Sequence, residues 1–218
     1  MMTLTEENYL KAIFHLSSER QDVSVLDLAN SLDIKMPTVN SMVKKLAAKG
    51  LLIYEKYRPL SLTEAGRLEA GVIIRKHRLV EMFLVEKMGF QWDEVHEIAE
   101  QIEHIDSTIF FDRINDLLHS PKFDPHGSPI PDQEGRIANT AYMKLSDGKI
   151  DKDYIFTSVA ISQSSFLKQI NRHGLKLGDR LKINEILDFD KSIVVTINNQ
   201  YIENLSGMVA GNILVDAN

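Results

Sequence analysis

The sequence predicts an α+β protein, helical over roughly its first 140 residues and built of short strands thereafter, and three observations predict it. Apolar residues recur at helical spacing behind polar caps from the N-terminus to about Leu118. The segment SPKFDPHGSPIPDQEG follows, with three prolines after position 124 and two glycines, a composition that interrupts helices. From about Ile150 the pattern changes to apolar runs of strand length broken by Gly, Asn and Asp.

Taken in order, Thr5 is read as the cap of a first helix whose Tyr9, Ile13 and Leu16 form one apolar stripe. Ser24 opens a second helix, SVLDLANSL, with Asp27 three positions on as a capping box. After the turn DIK, Pro37 sits in the first turn of a third helix, where its fixed φ is no obstacle. Val39, Met42, Val43 and Leu46 face inward there, which leaves Thr38, Asn40, Ser41, Lys44 and Lys45 outward, and Gly50 ends the helix. LLIYEKYRPLSLT reads as two short strands around a turn holding Lys56, Tyr57 and Arg58.

Helix, tight turn, helix and basic hairpin make the plan of a winged helix-turn-helix. The net charge of −6 speaks against a polyanion partner, but the charge is unevenly spread. Between Lys35 and Arg58 six basic residues stand against Glu55 alone; between Lys76 and His126, 5 basic residues face 11 acidic ones. The first segment suits double-stranded DNA and the second suits cations. Thr38, Asn40 and Ser41 are the candidates for base edges, and Lys35, Lys44, Lys56 and Arg58 for phosphates; Pro37 and Lys45 share that face.

Thr63 caps a long helix running to about Met88, stopped by Gly89. DEVHEIAEQIEH is expected to form the next helix, and STIFFDRINDLLH a further one capped near Ser107. Their apolar residues (Val80, Phe83, Leu84; Val95, Ile98, Ile102; Ile109, Phe110, Leu117, Leu118) exceed what three helices need internally, so the excess is read as a dimer surface. Beyond the connector, YIFTSVAI, DRLKINEIL, SIVVTIN, QYIENLS and GNILVDA are expected strands of a small β-barrel, with a helix SSFLKQINRHG between the first two.

In DEVHEIAEQIEH, His96, Glu100, Glu103 and His104 fall at 0, +4, +7 and +8, one side of a continuous helix. His77 and Glu81 repeat the i, i+4 pairing on the preceding helix, and Asp124 and His126 add donors in the connector. Solvated helices also carry Glu and His at such spacings; the repetition on adjacent helices is what points to metal. Crowded carboxylates raise one another's pKa, a penalty that a divalent ion reverses. With zero cysteines there is no thiolate, so the donors suit Mn(II) or Fe(II), with Zn(II) and Co(II) as substitutes in vitro. His96-Glu97 begins like the metalloprotease H-E-x-x-H helix, but Glu100 stands where the second His belongs, and no G-x-S-x-G or phosphate loop is present. A metal hydrolase is the rival reading, and a protein that is not an enzyme is the expectation.

ENYLKAI, LTEAGR, RKHRLVE, VHEIAEQIEH and PHGSPIP together resemble the diphtheria toxin repressor family of metal-dependent transcriptional regulators, including its manganese-sensing branch, over nearly all 218 residues. The resemblance implies a winged helix-turn-helix at 1–73, an all-α metal-binding and dimerisation domain with connector at 74–140, and an SH3-like (FeoA-like) domain at 150–218. It implies a homodimer that binds palindromic operators when metal-loaded. The implied primary site is Asn8, Glu100, Glu103 and His104; the ancillary one is His77, Glu81 and His96, joined by Asp124 and His126. Iron sensors typically carry Cys where Glu100 stands, so Glu100 resembles the manganese type, and Asn8 replaces that branch's Asp. Lys11 stands where some manganese sensors have a second carboxylate. In the SH3-like domain a carboxylate ligand is replaced by Ser162 or Ser165, with Gln163 nearby. The expectation is a cytoplasmic Mn(II)-responsive repressor of metal-uptake genes, with an Fe(II)-dependent repressor as the alternative. The N-terminus has no secretory pattern and no apolar run is long enough for a membrane span.

Overall fold

The computed structural model describes residues 2–20, 22–56 and 58–217, except the side chains of Glu19 and Ala217. Tyr57, read above as part of the turn, lies outside the described residues. Two compact units divide the chain: Met1–Val80 with Glu100–Leu117 and Ile130–Ala138, and Glu81–Ala99 with Leu118–Pro129 and Asn139–Asn218.

The first unit begins with α1 (Leu4–Glu19). Its cap is Thr3 rather than Thr5. The reason lies in the partner: Thr3 Oγ1 accepts from Glu6 N at 3.3 Å while Thr3 N donates to the Glu6 carboxylate at 2.8 Å, a reciprocal box that Thr5 cannot form with Asn8. Ser24 and Asp27 make the same box at the start of α2 (Val25–Leu32). α3 (Met36–Ala48) carries Pro37 in its first turn and buries Val39, Val43 and Leu46 completely. These meet Leu10, Ile13 and Leu28 in one core, each fully buried aliphatic contributing about 2 kcal/mol. The wing pairs β1 (Leu52–Ile53) with β2 (Ser61–Leu62) antiparallel, Leu52 opposite Leu62.

α4 (Glu64–Met88) packs its first turn against the wing so closely that a Cβ on Gly66 would sit 2.0 Å from the Leu51 carbonyl oxygen. Thr63 Oγ1 caps α4 through Gly66 N at 3.0 Å and donates to Gly50 O at 2.7 Å, so one hydroxyl joins the end of α3 to the next element. α5 spans only His96–Ile102, shorter than expected at both ends. Glu103 and His104 lie in the turn after it. The four residues expected to share a helix face therefore do not belong to one helix. α6 (Thr108–Leu117) is capped by Ser107 Oγ, as expected.

In the second unit β3 (Met143–Lys144), β4 (Asp153–Val159), β5 (Arg180–Ile186), β6 (Ile193–Ile197), β7 (Tyr201–Leu205) and β8 (Ile213–Ala217) form an antiparallel sheet in the order β3-β8-β4-β5-β6-β7. Alternation puts Leu181, Ile183, Ile193, Val195 and Ile197 into a core closed by Leu167 and Ile170 of α7 (Ser164–Arg172). Bulges at Phe156/Ser158 and Ile183/Glu185 bend the two longest strands. The short β3 and the single turn α8 (Gly207–Ala210) were not anticipated; neither is long enough to show a period.

Candidate metal centre and nucleic-acid interface

The first unit gathers its candidate polar groups from three elements. α1 supplies Glu7, Asn8 and Lys11, α4 supplies His77, and the end of α5 with its following turn supplies Glu100, Glu103 and His104. Glu103 is fully buried, and a lone carboxylate there would be costly. Its oxygens meet His77 Nδ1 at 2.5 Å and Lys11 Nζ at 2.7 and 2.9 Å, while His104 Nε2 stands 3.6 Å away. Glu100 Oε1 is 2.5 Å from the same ammonium. Potential ligand atoms of His77, Glu100 and Glu103 all lie within 4.8 Å of one another.

His104 Nδ1 is 2.6 Å from Glu7 Oε2. A carboxylate only accepts, so this bond places the proton on Nδ1 and leaves Nε2 on the side of Glu103. Sequence reasoning missed Glu7. Its signal was there: Glu7 and Lys11 stand four apart on one face of α1. Asn8 Oδ1 is buried without a hydrogen-bond partner among the described residues. An orphaned carbonyl oxygen normally costs on the order of 1–3 kcal/mol, so it is an atom in want of a partner. Hard oxygens with imidazole nitrogen are the donors that divalent manganese or iron takes, and the residues present fit such an ion.

The second unit holds its own cluster, Glu81, Asp124 and His126, all buried and with ligand atoms within 4.8 Å. The connector builds it from backbone geometry. Asp124 Oδ1 accepts from His126 N at 2.8 Å and Ser128 N at 2.9 Å, closing a tight turn. Gly127 follows with φ +82, where a Cβ would lie 2.0 Å from Thr157 O. The His126 carbonyl accepts from Val159 N at 3.1 Å and Ser158 Oγ at 3.0 Å, which seats the turn on the end of β4. His126 Nε2 donates to the Trp92 carbonyl at 2.8 Å, and its ring stacks on that indole at 5.9 Å. Nδ1 is then turned to Glu81, 3.5 Å away. Burial pushes the His126 pKa down, but Glu81 and Asp124 outweigh it and the net shift is upward. Glu81 also meets His96 Nδ1 at 3.4 Å, with the His96 side chain about half exposed.

His77, which the resemblance places in the ancillary set with Glu81 and His96, also contacts Glu103. Ser162, Gln163 and Ser165 sit at the start of α7; none of their side chains forms a hydrogen bond among the described residues, and Gln163 serves as N-cap through its backbone alone.

On α3, Lys35, Pro37, Thr38, Ser41 and Lys44 are exposed, and Asn40 is half-buried beside them. Lys56 and Arg58 are exposed in the wing, with Arg58 Nε 3.0 Å from Glu55. Lys45 differs from the other basic candidates: its ammonium lies 3.2 Å from the buried carboxylate of Glu6, which Lys49 also meets at 2.7 Å. The two lysines and the Thr3 amide hold the Glu6 carboxyl down at about 2. Glu6 was not singled out in the sequence. It joins α1 to the reading helix.

A helical DNA-reading unit carrying a buried cluster of carboxylates and histidines defines the class, and comparison with known proteins supplies the family. Family models match residues 1–60 (iron dependent repressor, N-terminal DNA binding domain), 63–132 (iron dependent repressor, metal binding and dimerisation domain) and 143–217 (FeoA domain). The diphtheria toxin repressor of Corynebacterium jeikeium is 31% identical over 194 residues, 87% of this chain and 78% of that protein. The chain belongs to the iron-dependent repressor family, whose members are DNA-binding transcriptional regulators and not enzymes. The iron-dependent repressor IdeR of Mycobacterium tuberculosis is 39% identical over 127 residues, 58% of this chain; the chain spans only 55% of that relative's length. Among solved structures, a manganese-dependent transcriptional repressor in complex with manganese superposes with a TM-score of 0.89 at 29% identity, covering 98% of this chain and 100% of that one.

Proposed function

We propose that the protein is a Mn(II)-responsive transcriptional repressor that binds a palindromic operator in double-stranded DNA as a homodimer and controls metal-uptake genes in the cytoplasm. One observation carries the reading: α1 holds both ends of the device. Asn8, with its orphaned oxygen, and Glu7, which orients His104, lie on the helix whose Glu6 grips Lys45 and Lys49 of α3. Asn8, Glu100, Glu103 and His104 would hold the ion, with His77 beside them. A bound ion supplies the positive charge that lets two carboxylates and a carbonyl oxygen share one small volume. The chain's own part is mechanical: tying Asn8 to the turn after α5 fixes α1, and Glu6 passes that constraint to the reading helix. Thr38, Asn40 and Ser41 then meet base edges while Lys35, Lys44, Lys56 and Arg58 meet phosphates, with Pro37 and Lys45 at the margin of that face.

Glu100 gives a hard oxygen where a sulfur would favour iron, which supports manganese over iron, and the similarity to a manganese-dependent repressor points the same way. Glu81, Asp124 and His126, with His96, form the ancillary centre. The division 1–73, 74–140 and 150–218 is proposed as the functional one: reader, sensor and dimer surface, and accessory domain. Ile109 and Leu117 of α6 are 72% and 52% exposed and supply the dimer patch, with Phe110 and Ile105. Val80, Leu84, Val95 and Leu118 are buried within their own units and leave that list. No helix is long and apolar enough to cross a membrane.

The deciding experiment is selection of DNA from a random pool in chelated buffer with one metal restored at a time. Recovery of a palindrome with Mn(II) at lower concentration than Fe(II), Zn(II) or Co(II) supports the reading. Equal recovery in chelator alone rejects it.

A further inference from the structure

Lys11 already meets the carboxylates on which the metal-centre reading rests. Its ammonium has three protons, and three carboxylate oxygens surround it: Glu100 Oε1 at 2.5 Å and the two oxygens of Glu103 at 2.7 and 2.9 Å. This is not a surface pair diluted by solvent, since the Lys11 side chain is 11% exposed and that of Glu103 is 0%. We propose that Lys11 is a built-in counter-ion of the centre: its ammonium holds Glu100 and Glu103 together until a divalent ion displaces it, so Lys11 sets the concentration at which the centre fills.

The physics runs in two directions. Without Lys11, the buried carboxylate of Glu103 and the partly exposed one of Glu100 repel, and the metal-free protein loses stability. With it, an incoming dication must take oxygens that are already hydrogen-bonded, and the ammonium, on its flexible four-carbon stem, must swing away from a like charge. Filling the centre becomes an exchange of one positive charge for two, weaker than binding to bare carboxylates. A displaced but tethered ammonium also opposes a second ion beside the first. One ion per chain at this centre follows.

The test compares wild type, Lys11→Met and Lys11→Arg by calorimetric titration with Mn(II) and by the melting temperature of the metal-free proteins. Lys11→Met is expected to bind Mn(II) about tenfold more tightly, the worth of one charge-assisted hydrogen bond, and to melt lower without metal. Lys11→Arg is expected to stay near wild type in both. Unchanged or weaker Mn(II) binding by a folded Lys11→Met overturns the inference. Should Lys11→Met unfold without metal, recovery of its native circular dichroism by Mn(II), with no recovery in Lys11→Met/Glu103→Gln, supports it, and failure to recover overturns it. A Glu103→Gln protein that binds Mn(II) as wild type does sinks the metal-centre reading itself, whereas wild-type binding that depends on Glu103 yet ignores Lys11 sinks only the counter-ion.

Discussion

The two acidic clusters of this protein use the same residue types and are built in opposite ways. Around Glu81, Asp124 and His126 the backbone does the positioning: Asp124 closes its own turn through two amides, and the Trp92 carbonyl decides which nitrogen of His126 carries the proton. Around Glu103 the positioning comes from side chains on three separate elements, with Lys11 neutralising the charge and Glu7 orienting His104. A cluster pre-formed by a turn has little to change when it is filled. A cluster that joins α1 to the turn after α5 can move what it joins, and α1 also holds the reading helix through Glu6. Under the proposed function, sensing falls to the Glu103 cluster and support to the Glu81 cluster.

The largest effect that could break this assignment is expected at His104. His104→Ala should abolish metal-dependent DNA binding, at least about a hundredfold, while leaving the metal-free fold intact by circular dichroism. The same loss from His126→Ala, with His104→Ala active, would reverse the roles of the clusters. His126→Ala is itself expected to cost about tenfold in metal affinity at the second centre and to lower the melting temperature in excess Mn(II). Because the His126 pKa is raised, protons compete for Nδ1 at higher pH than for an ordinary histidine. Binding at that centre should therefore begin to weaken, as pH falls, above the ordinary histidine value of 6.5, and the loss should disappear in the variant.

Glu6→Gln sharpens the comparison from the reader's side. It should cost about 1–2 kcal/mol of stability, as expected for charge-assisted hydrogen bonds to half-exposed lysines, and should shrink the metal-dependent gain in DNA affinity without altering Mn(II) binding. The folded carboxyl titrates at about 2 instead of 4.5, so the stabilisation is complete above 4.5 and disappears as pH falls towards 2. Denaturant melts of both proteins at several acidic pH values check this; a stability gap that persists at the lowest pH counts against the ion pair. The smallest effects belong to the DNA face. Lys56→Ala should flatten the log K against log salt slope by about 0.9 for all sequences alike. Ser41→Ala should instead change discrimination at one operator position, symmetrically in both half-sites, and leave the slope alone.

Several elements were legible because their signals are local. The Ser24 and Asp27 box, Pro37 at the start of the reading helix, Gly89 after α4 and the alternation of β5 and β6 all act within a few residues. The acidic cluster was legible as residue types and spacing. Its geometry was not, because α5 stops at Ile102 and the turn beyond sends Glu103 and His104 to partners in distant sequence. Thr3 caps α1 in place of Thr5 because Glu6, three residues on, answers it.

The sequence by itself determined the class of chain, the reading helix and its polar face, and the carboxylates and histidines that could meet a cation, since periodicity, caps and charge are written into neighbouring residues. Only the tertiary structure decided which of those groups share a site. Lys11 and Glu103 are 92 residues apart and Glu7 and His104 are 97, and no helical period spans such distances. Their pairing follows from burial: once Glu103 is shut away from water, its charge has to be met by whatever cation the packing of α1 brings within reach.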